Sequence, residues 1–186
     1  MVLDDKESVS EMTKHMSNTG FKAMAFLFKI RDKRNPPTRY LEEAGVEEGK
    51  KVLDYGCGPG SFTLPAAELV GAKGIVFGAD IHPLAVKTIE KKAEKRGLNN
   101  IVPILTDCDT ELEAESIDIV LLYDVIHMFK DPEKILTEMY RVTKKKGILS
   151  VSNPHMKKEA IMKLIEENSE FELRQQHKKT FSFQKK

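Results

Sequence analysis

Short apolar runs alternate with longer stretches of helical spacing along most of this chain. Residues 51–55, 74–80, 101–106, 117–123 and 147–152 read as strands, most of them continuously apolar, the pattern of strands buried on both faces. Between them, residues 61–70, 83–96 and 132–143 carry helical patterns that close on glycine or on a basic last turn. Asp131-Pro132 reads as an N-cap with proline in the first helical position, and Arg96-Gly97 as a helix end. Strands alternating with helices of this length predict right-handed crossovers and a parallel sheet with helices on both faces. The expected class is therefore α/β, doubly wound, three layers deep.

The two ends of the chain extend this pattern. After residue 152 a helix is expected near 157–168. Residues 171–177 and 179–184 alternate closely enough to predict an antiparallel hairpin at the sheet edge, bringing the sheet to seven strands. Ahead of the first strand, segments 21–34 and 38–44 are separated by Pro36-Pro37. In the first of them Phe21, Met24, Ala25 and Phe28 fall at i, i+3, i+4 and i+7, giving a helix whose apolar stripe must cover something, a sheet edge or a substrate. The organisation expected is one domain over 1–186, with a helical cover at 1–45, a core at 50–153 and a closing helix and hairpin at 154–186.

Composition narrows the setting. A chain of 186 residues with 40% hydrophobic and 32% charged side chains can bury a core without disulfide or metal staples. No apolar run approaches the ~20 residues of a membrane span, so membrane insertion is not expected. The 30 basic and 29 acidic residues nearly cancel, which removes a global field toward nucleic acid or an anionic bilayer and leaves only local patches. Residues 1–18 lack the apolar core of a secretion signal and the two cysteines make no disulfide framework, so the expected location is cytoplasmic. Cys57, Cys108 and five scattered histidines show no metal-ligand spacing, and no metal site is expected. Oligomeric state leaves no mark in the sequence.

The chemistry concentrates after the first strand, where Val52-Leu53-Asp54-Tyr55-Gly56-Cys57-Gly58-Pro59-Gly60 runs into a glycine turn and Asp80 closes the next apolar run. Glycines at alternate positions mark backbone that approaches a ligand closely, and an acid at the end of the second strand can accept from both hydroxyls of a ribose. The order strand, turn, helix, strand, acid within one βαβ unit is a nucleoside-binding pattern. Two ligand classes fit it. A pyridine dinucleotide calls for a further glycine or alanine where this chain has Ser61, and its pyrophosphate at the helix N-terminus would be repelled by Asp54. The ammonium and sulfonium of adenosylmethionine tolerate that acid.

On these motifs, and on the late run IDIVLLYDVIHMFKDPEKILTEMYRVTKKKGILSV, the chain resembles the class I S-adenosylmethionine-dependent methyltransferases. Within them it resembles the small-molecule branch that includes the ubiquinone and menaquinone biosynthesis enzymes. The resemblance covers roughly residues 50–153. It implies S-adenosyl-L-methionine as cofactor and S-adenosyl-L-homocysteine as product. It puts the turn Gly56-Cys57-Gly58-Pro59-Gly60 against the methionine portion, with Asp54 near the amino group and Asp80 on the ribose. Ile81 falls against adenine, Asp107 and the backbone of Cys108 at the exocyclic amine, and Tyr123 under the transferable methyl.

Methyl transfer from a sulfonium is an in-line displacement that depends chiefly on alignment. Where the acceptor carries a proton, Tyr123, His127 or Asp124 is the expected base, from the end of the fourth strand. The residues after the fourth strand, Tyr123-Asp124-Val125-Ile126, lack the Pro-Pro-Tyr/Phe motif of nucleobase-methylating relatives, and no cysteine stands there as a nucleophile. A small-molecule acceptor is expected, with nucleic acid disfavoured. Only residues 153–157 separate the fifth strand from the next helix, so segment 21–34 is the candidate cover for the pocket. The competing readings are a catalytically silent binding protein of the same fold and a nicotinamide-binding module.

Overall fold

The computed structural model describes residues 16–186. Its elements are α1 (Asn18–Arg34), α2 (Thr38–Glu43), β1 (Lys51–Tyr55), α3 (Thr63–Val70), β2 (Ile75–Asp80), α4 (Pro83–Arg96) and β3 (Ile101–Leu105). They continue with β4 (Ile117–Tyr123), α5 (Pro132–Val142), β5 (Thr143–Ser152), α6 (Lys158–Asn168), β6 (Phe171–Gln176) and β7 (Phe181–Lys185). The strands make one seven-stranded sheet in the order β3-β2-β1-β4-β5-β7-β6. The pairs from β3 through β5 are parallel, and β7 pairs antiparallel with both β5 and β6. The expected class holds, down to the C-terminal hairpin. Of the secretion-signal reading, which was made on residues 1–18, all but the last three residues lie outside the described residues.

Strand alternation sorts the core into two layers. Leu53, Val120, Leu122, Leu149 and Val151 meet α5 and α6 through Leu136, Met139, Ile161 and Ile165. On the opposite face Val52, Val76, Ile119, Leu121 and Tyr123 meet α2 and α3 through Leu41, Phe62, Ala66 and Val70. Asp54 shares the parity of Val52, so its carboxyl enters the α3 layer and is 2% exposed.

The boundaries that shifted have local causes. Residues 144–146 are all lysine, which hid the start of β5; the strand begins at Thr143, opposite Ile117, and a bulge at Lys146 (φ +64°) restores pairing at Ile148 opposite Ile119. The glycine at 147 therefore interrupts a continuing strand. At the other end α3 starts at Thr63, because the glycine turn runs on through Phe62, its N-cap.

The strand order reverses between β1 and β4, where α/β sheets open a crevice beyond the carboxyl ends of the strands. The glycine turn and Asp124 both leave the sheet at that point. Segment 21–34 does form a helix, and Phe21 is buried with Met24 and Phe28 half-buried on its inner side.

Candidate active site

The turn after β1 is tied to β2: the N–H groups of Gly56 and Cys57 both donate to Ala79 O (2.8 and 3.0 Å), and Gly60 N donates to Cys57 O (2.9 Å). Gly56, Gly58 and Gly60 all take positive φ (+82°, +50°, +84°). Their neighbours differ. A Cβ on Gly56 would lie 2.4 Å from Val125 Cγ2, and one on Gly60 2.8 Å from Ile89 Cγ2. One on Gly58 would meet only the tip of Met24, 3.9 Å away, and its own turn at 4.0 Å. Gly58, although buried, is thus the uncrowded point of the turn, where room remains beside the backbone. Cys57 turns its side chain inward among Phe21, Ala85 and Ile89, and burial pushes its thiol well above the usual range, so it is an inert packing residue.

Two carboxylates flank this turn. Asp54 accepts a 2.6 Å hydrogen bond from Thr63 Oγ1, yet burial, reinforced by the charge of Asp80, pushes its pKa up to about 7. Asp80 accepts Gly58 N through Oδ2 and His82 N through Oδ1, both at 2.8 Å. Each oxygen keeps a lone pair, and burial raises its pKa in spite of the two donors. Ile81 follows in the bend before α4, partly exposed. Asp107 stands exposed past β3, and its carbonyl accepts from Tyr55 Oη (3.0 Å). The N–H of Cys108 donates to Thr106 Oγ1 (3.1 Å). Tyr55, which sequence reasoning did not single out, bridges this loop to β1 and sets its ring edge-on to Phe129.

The Asp54 carboxyl makes stability depend on pH. Its folded pKa lies above the ordinary 3.8, so between 3.8 and about 7 the folded state holds a proton that the unfolded chain has released, and stability falls as pH rises through that window. Asp54→Asn is expected to raise stability at pH 8 by about 1–2 kcal/mol, and to leave it unchanged near pH 3.5, when unfolding is followed in urea at both values. A destabilised Asn variant at pH 8 would remove this account.

The far side of the crevice is an aromatic wall. Tyr123 is 4% exposed, and its ring meets Phe62 (4.6 Å) and Tyr40 (5.9 Å). Its hydroxyl donates to Tyr40 O (3.1 Å) and shares a 2.8 Å hydrogen bond with Ser150 Oγ, and burial holds its pKa far above the ordinary value. The expectation of Tyr123 as a base is corrected on both grounds: the oxygen is committed and does not ionise at neutral pH. His127 meets a different obstacle. The Oδ1 of Asn153 accepts from His155 N (2.9 Å), which leaves the Nδ2 amide to donate to His127 Nδ1 (2.8 Å). The neutral ring then carries its proton on Nε2 and is a donor rather than a base. Burial and the nearby His155 ring, 5.0 Å away, both lower its pKa and keep it neutral.

Next to this wall a cavity of about 470 Å³ opens beyond β4 and β5, lined by Tyr40, Phe62, Asp124, Asn153, Met156 and Phe181. Arg31, Asp32 and Asn35 of α1 and its C-cap close one side. Arg31 makes an ion pair with Asp124 across 93 residues of sequence, and its guanidinium lies over the Phe28 ring (4.1 Å). Asp124 takes a left-handed φ of +58°, which turns it out of β4 toward α1. A second cavity, about 370 Å³, lies at the other ends of the strands around Lys50, Asp118 and Lys144, away from the glycine turn.

The structure thus brings Asp54, Gly56, Gly58 and Asp80 together, with Ile81, Asp107 and Cys108 along the β2 and β3 side. Tyr123 stands across the crevice, and His127 lies behind Asn153. Arg31, Tyr40 and Phe62 join the site from positions outside the motifs, and Tyr55 from within the glycine-turn motif, where its role was not marked by the pattern.

Comparison with known proteins agrees with this architecture. The chain is 44% identical over 82 residues to aklanonic acid methyltransferase DauC from Streptomyces sp. (strain C5), covering 43% of this chain and 37% of that protein. It is 35% identical over 118 residues to demethylmenaquinone methyltransferase from Geobacillus stearothermophilus, covering 61% and 50%. The chain thus spans half or less of the length of these curated relatives. A SAM-dependent methyltransferase from Aquifex aeolicus superposes with a TM-score of 0.78 at 23% identity, covering 91% of this chain and 98% of that one, a likeness of fold. Residues 46–185 match the family described as a methyltransferase domain, and the chain belongs to that family.

Proposed function

We propose that this chain binds S-adenosyl-L-methionine at the glycine turn and transfers its methyl group to a small-molecule acceptor in the neighbouring cavity. The observation that carries the reading is the convergence of the Asp54 and Asp80 carboxylates with the uncrowded backbone of Gly58 at the strand-order reversal, beside a cavity of ligand size. The residues suit the cofactor. Asp80 retains lone pairs for ribose hydroxyls, and Asp54 offers a carboxylate that a nearby ammonium would help to ionise. Ile81 offers an apolar contact for adenine, the Asp107 carboxylate an acceptor for its exocyclic amine, and the Cys108 N–H, once the Thr106 hydroxyl yields, a donor to an adenine ring nitrogen. Bound cofactor supplies a methyl on a sulfonium, which the acceptor displaces in line.

The protein's own part is then alignment and exclusion of water. Tyr123, Tyr40 and Phe62 form a rigid edge-packed wall, and α1 closes the side that would admit solvent. With Tyr123 committed and His127 a donor, the reading favours an acceptor that reaches the cavity as its own nucleophile, or one whose proton leaves through Asp124. Relatives are named for aklanonic acid and demethylmenaquinone, consistent with an organic small-molecule acceptor. Cys57 and Cys108, both buried and free, suit a reducing cytoplasm.

Calorimetric titration with S-adenosylmethionine, S-adenosylhomocysteine and NAD tests the reading. Binding of the first two with a Kd of about 1–100 μM and none of NAD is expected. Tight NAD binding would replace the proposal with a dinucleotide module. Cofactor binding without turnover across an acceptor panel would favour the catalytically silent alternative.

A further inference from the structure

Helix α1 is apolar on two sides, and the site uses only one of them. Its inner side carries Phe21, Met24 and Phe28. Its outer side presents Phe26, Leu27 and Ile30, which are 64%, 62% and 45% exposed. These three sit at i, i+1 and i+4, a compact patch on one face of the helix. Along one border of the patch runs a row of cations, Lys22, Lys29 and Lys33, and Arg34 closes its C-terminal end; all four are exposed. Among the described residues none of the four makes an ion pair. The helix has a single acid, Asp32, and that is already bound to Arg31 on the inner side. The outer face therefore combines large apolar side chains with positive charge that has no ion-pair partner among the described residues, although the whole chain carries a formal net charge of only +1.

We propose that α1 docks this face on an anionic lipid surface, with Phe26, Leu27 and Ile30 in the headgroup–acyl boundary and Lys22, Lys29 and Lys33 against lipid phosphates. An interfacial helix has this composition, aromatic and aliphatic residues on one face with a lysine-rich border. Charge selects the occupant. Two copies of the chain meeting through this face by a two-fold axis would set the same cation rows against each other with no acid on the face of α1 to offset them, whereas anionic headgroups neutralise the row. The helix lies on the surface and does not cross: among the described residues no helix is long and apolar enough to span a membrane. Because Arg31, Asp32 and the adjacent Asn35 line the cavity, docking holds that cavity at the lipid–water boundary. The inference rests on the surface of α1 alone and stands apart from the proposed reaction.

Co-sedimentation of the full 186-residue chain with vesicles tests it, using phosphatidylcholine alone and phosphatidylcholine with about 30% phosphatidylglycerol. Binding to the anionic vesicles is expected to be at least about tenfold tighter than to neutral ones and to weaken as salt is raised. The double substitution Phe26→Ser and Leu27→Ser is expected to lower anionic-vesicle binding by about tenfold or more with unchanged circular dichroism. Should that variant fail to fold, Lys22→Glu with Lys29→Glu and Lys33→Glu decides the matter by losing the preference for anionic lipid. Three results overturn the proposal: no binding to anionic vesicles, binding that neither variant changes, or a dimer in lipid-free solution that Phe26→Ser with Leu27→Ser dissociates.

Discussion

Asp80→Ala is expected to weaken binding of S-adenosylmethionine and of S-adenosylhomocysteine alike, by about 100-fold or more. In the proposed reading the carboxylate accepts from two ribose hydroxyls, and each hydrogen bond to a charged acceptor contributes roughly 1.5–3 kcal/mol. Two of them correspond to about 3 kcal/mol or more, hence the factor of 100. A second effect runs in the same direction. Oδ2 holds Gly58 N and Oδ1 holds His82 N, so the alanine variant also frees the middle of the glycine turn and the start of α4. Asp80→Asn separates the two contributions, because its carbonyl can keep one backbone donor while the amide loses acceptor capacity; an intermediate loss is expected. Calorimetry on the three proteins reads both. An alanine variant that binds within about tenfold of the parent would remove Asp80 from the ribose.

How much of this was legible in the sequence follows from distance along the chain. The glycine turn, Asp54 and Asp80 lie in one βαβ unit of local contacts, so spacing alone brought them together, and the structure sets Asp54 and Asp80 close enough for one charge to raise the pKa of the other. The apolar stripe of Phe21, Met24 and Phe28 likewise follows from periodicity, and it is the inner side of α1. The rest depended on contacts between remote segments. Nothing near Arg31 announces that it meets Asp124, and nothing near Tyr123 announces that Tyr40 O and Ser150 Oγ occupy its hydroxyl. Tyr123 and His127 are poorly placed as bases for that reason, whereas Asp124 keeps an acceptor role: a residue type at the end of β4 suggests proton transfer, but only its partners decide whether the lone pair is open. Asn153 makes the same point, since its amide is oriented by His155 N and so fixes which nitrogen of His127 carries the proton. The lysine run at 144–146 misled in another way, because the bulged start of β5, ahead of its pairing with β7 at Ile148, tolerates charge that a continuous apolar strand does not.

The same reasoning makes Arg31 the residue on which closure of α1 turns. Its guanidinium pairs with Asp124 and stacks on Phe28, while Phe62 lies 5.6 Å from it on the cavity wall, so one side chain ties the helix to β4 and to α3's N-cap. Arg31 is 28% and Asp124 16% exposed at the side chain, between a surface pair and a buried one. Arg31→Ala leaves a carboxylate that burial already disfavours without its cation, at a cost of about 2 kcal/mol, below the range for fully buried pairs. Because that cost falls on closure and not on the sheet, amide exchange in the last two turns of α1 is expected to speed up by about 30-fold while β1 and β4 stay protected. Asp124→Asn removes the stranded charge, so adding it to Arg31→Ala should restore part of the protection, a coupling that a merely local fraying of the helix would not produce. If α1 is the lid of the acceptor cavity, the Arg31→Ala variant also binds S-adenosylhomocysteine almost as the parent does, since Asp80 and the glycine turn are untouched, and loses turnover. Equal exchange in the variant and the parent would show that α1 is held by Phe21 and Met24 alone, and the ion pair would have no part in closing the site.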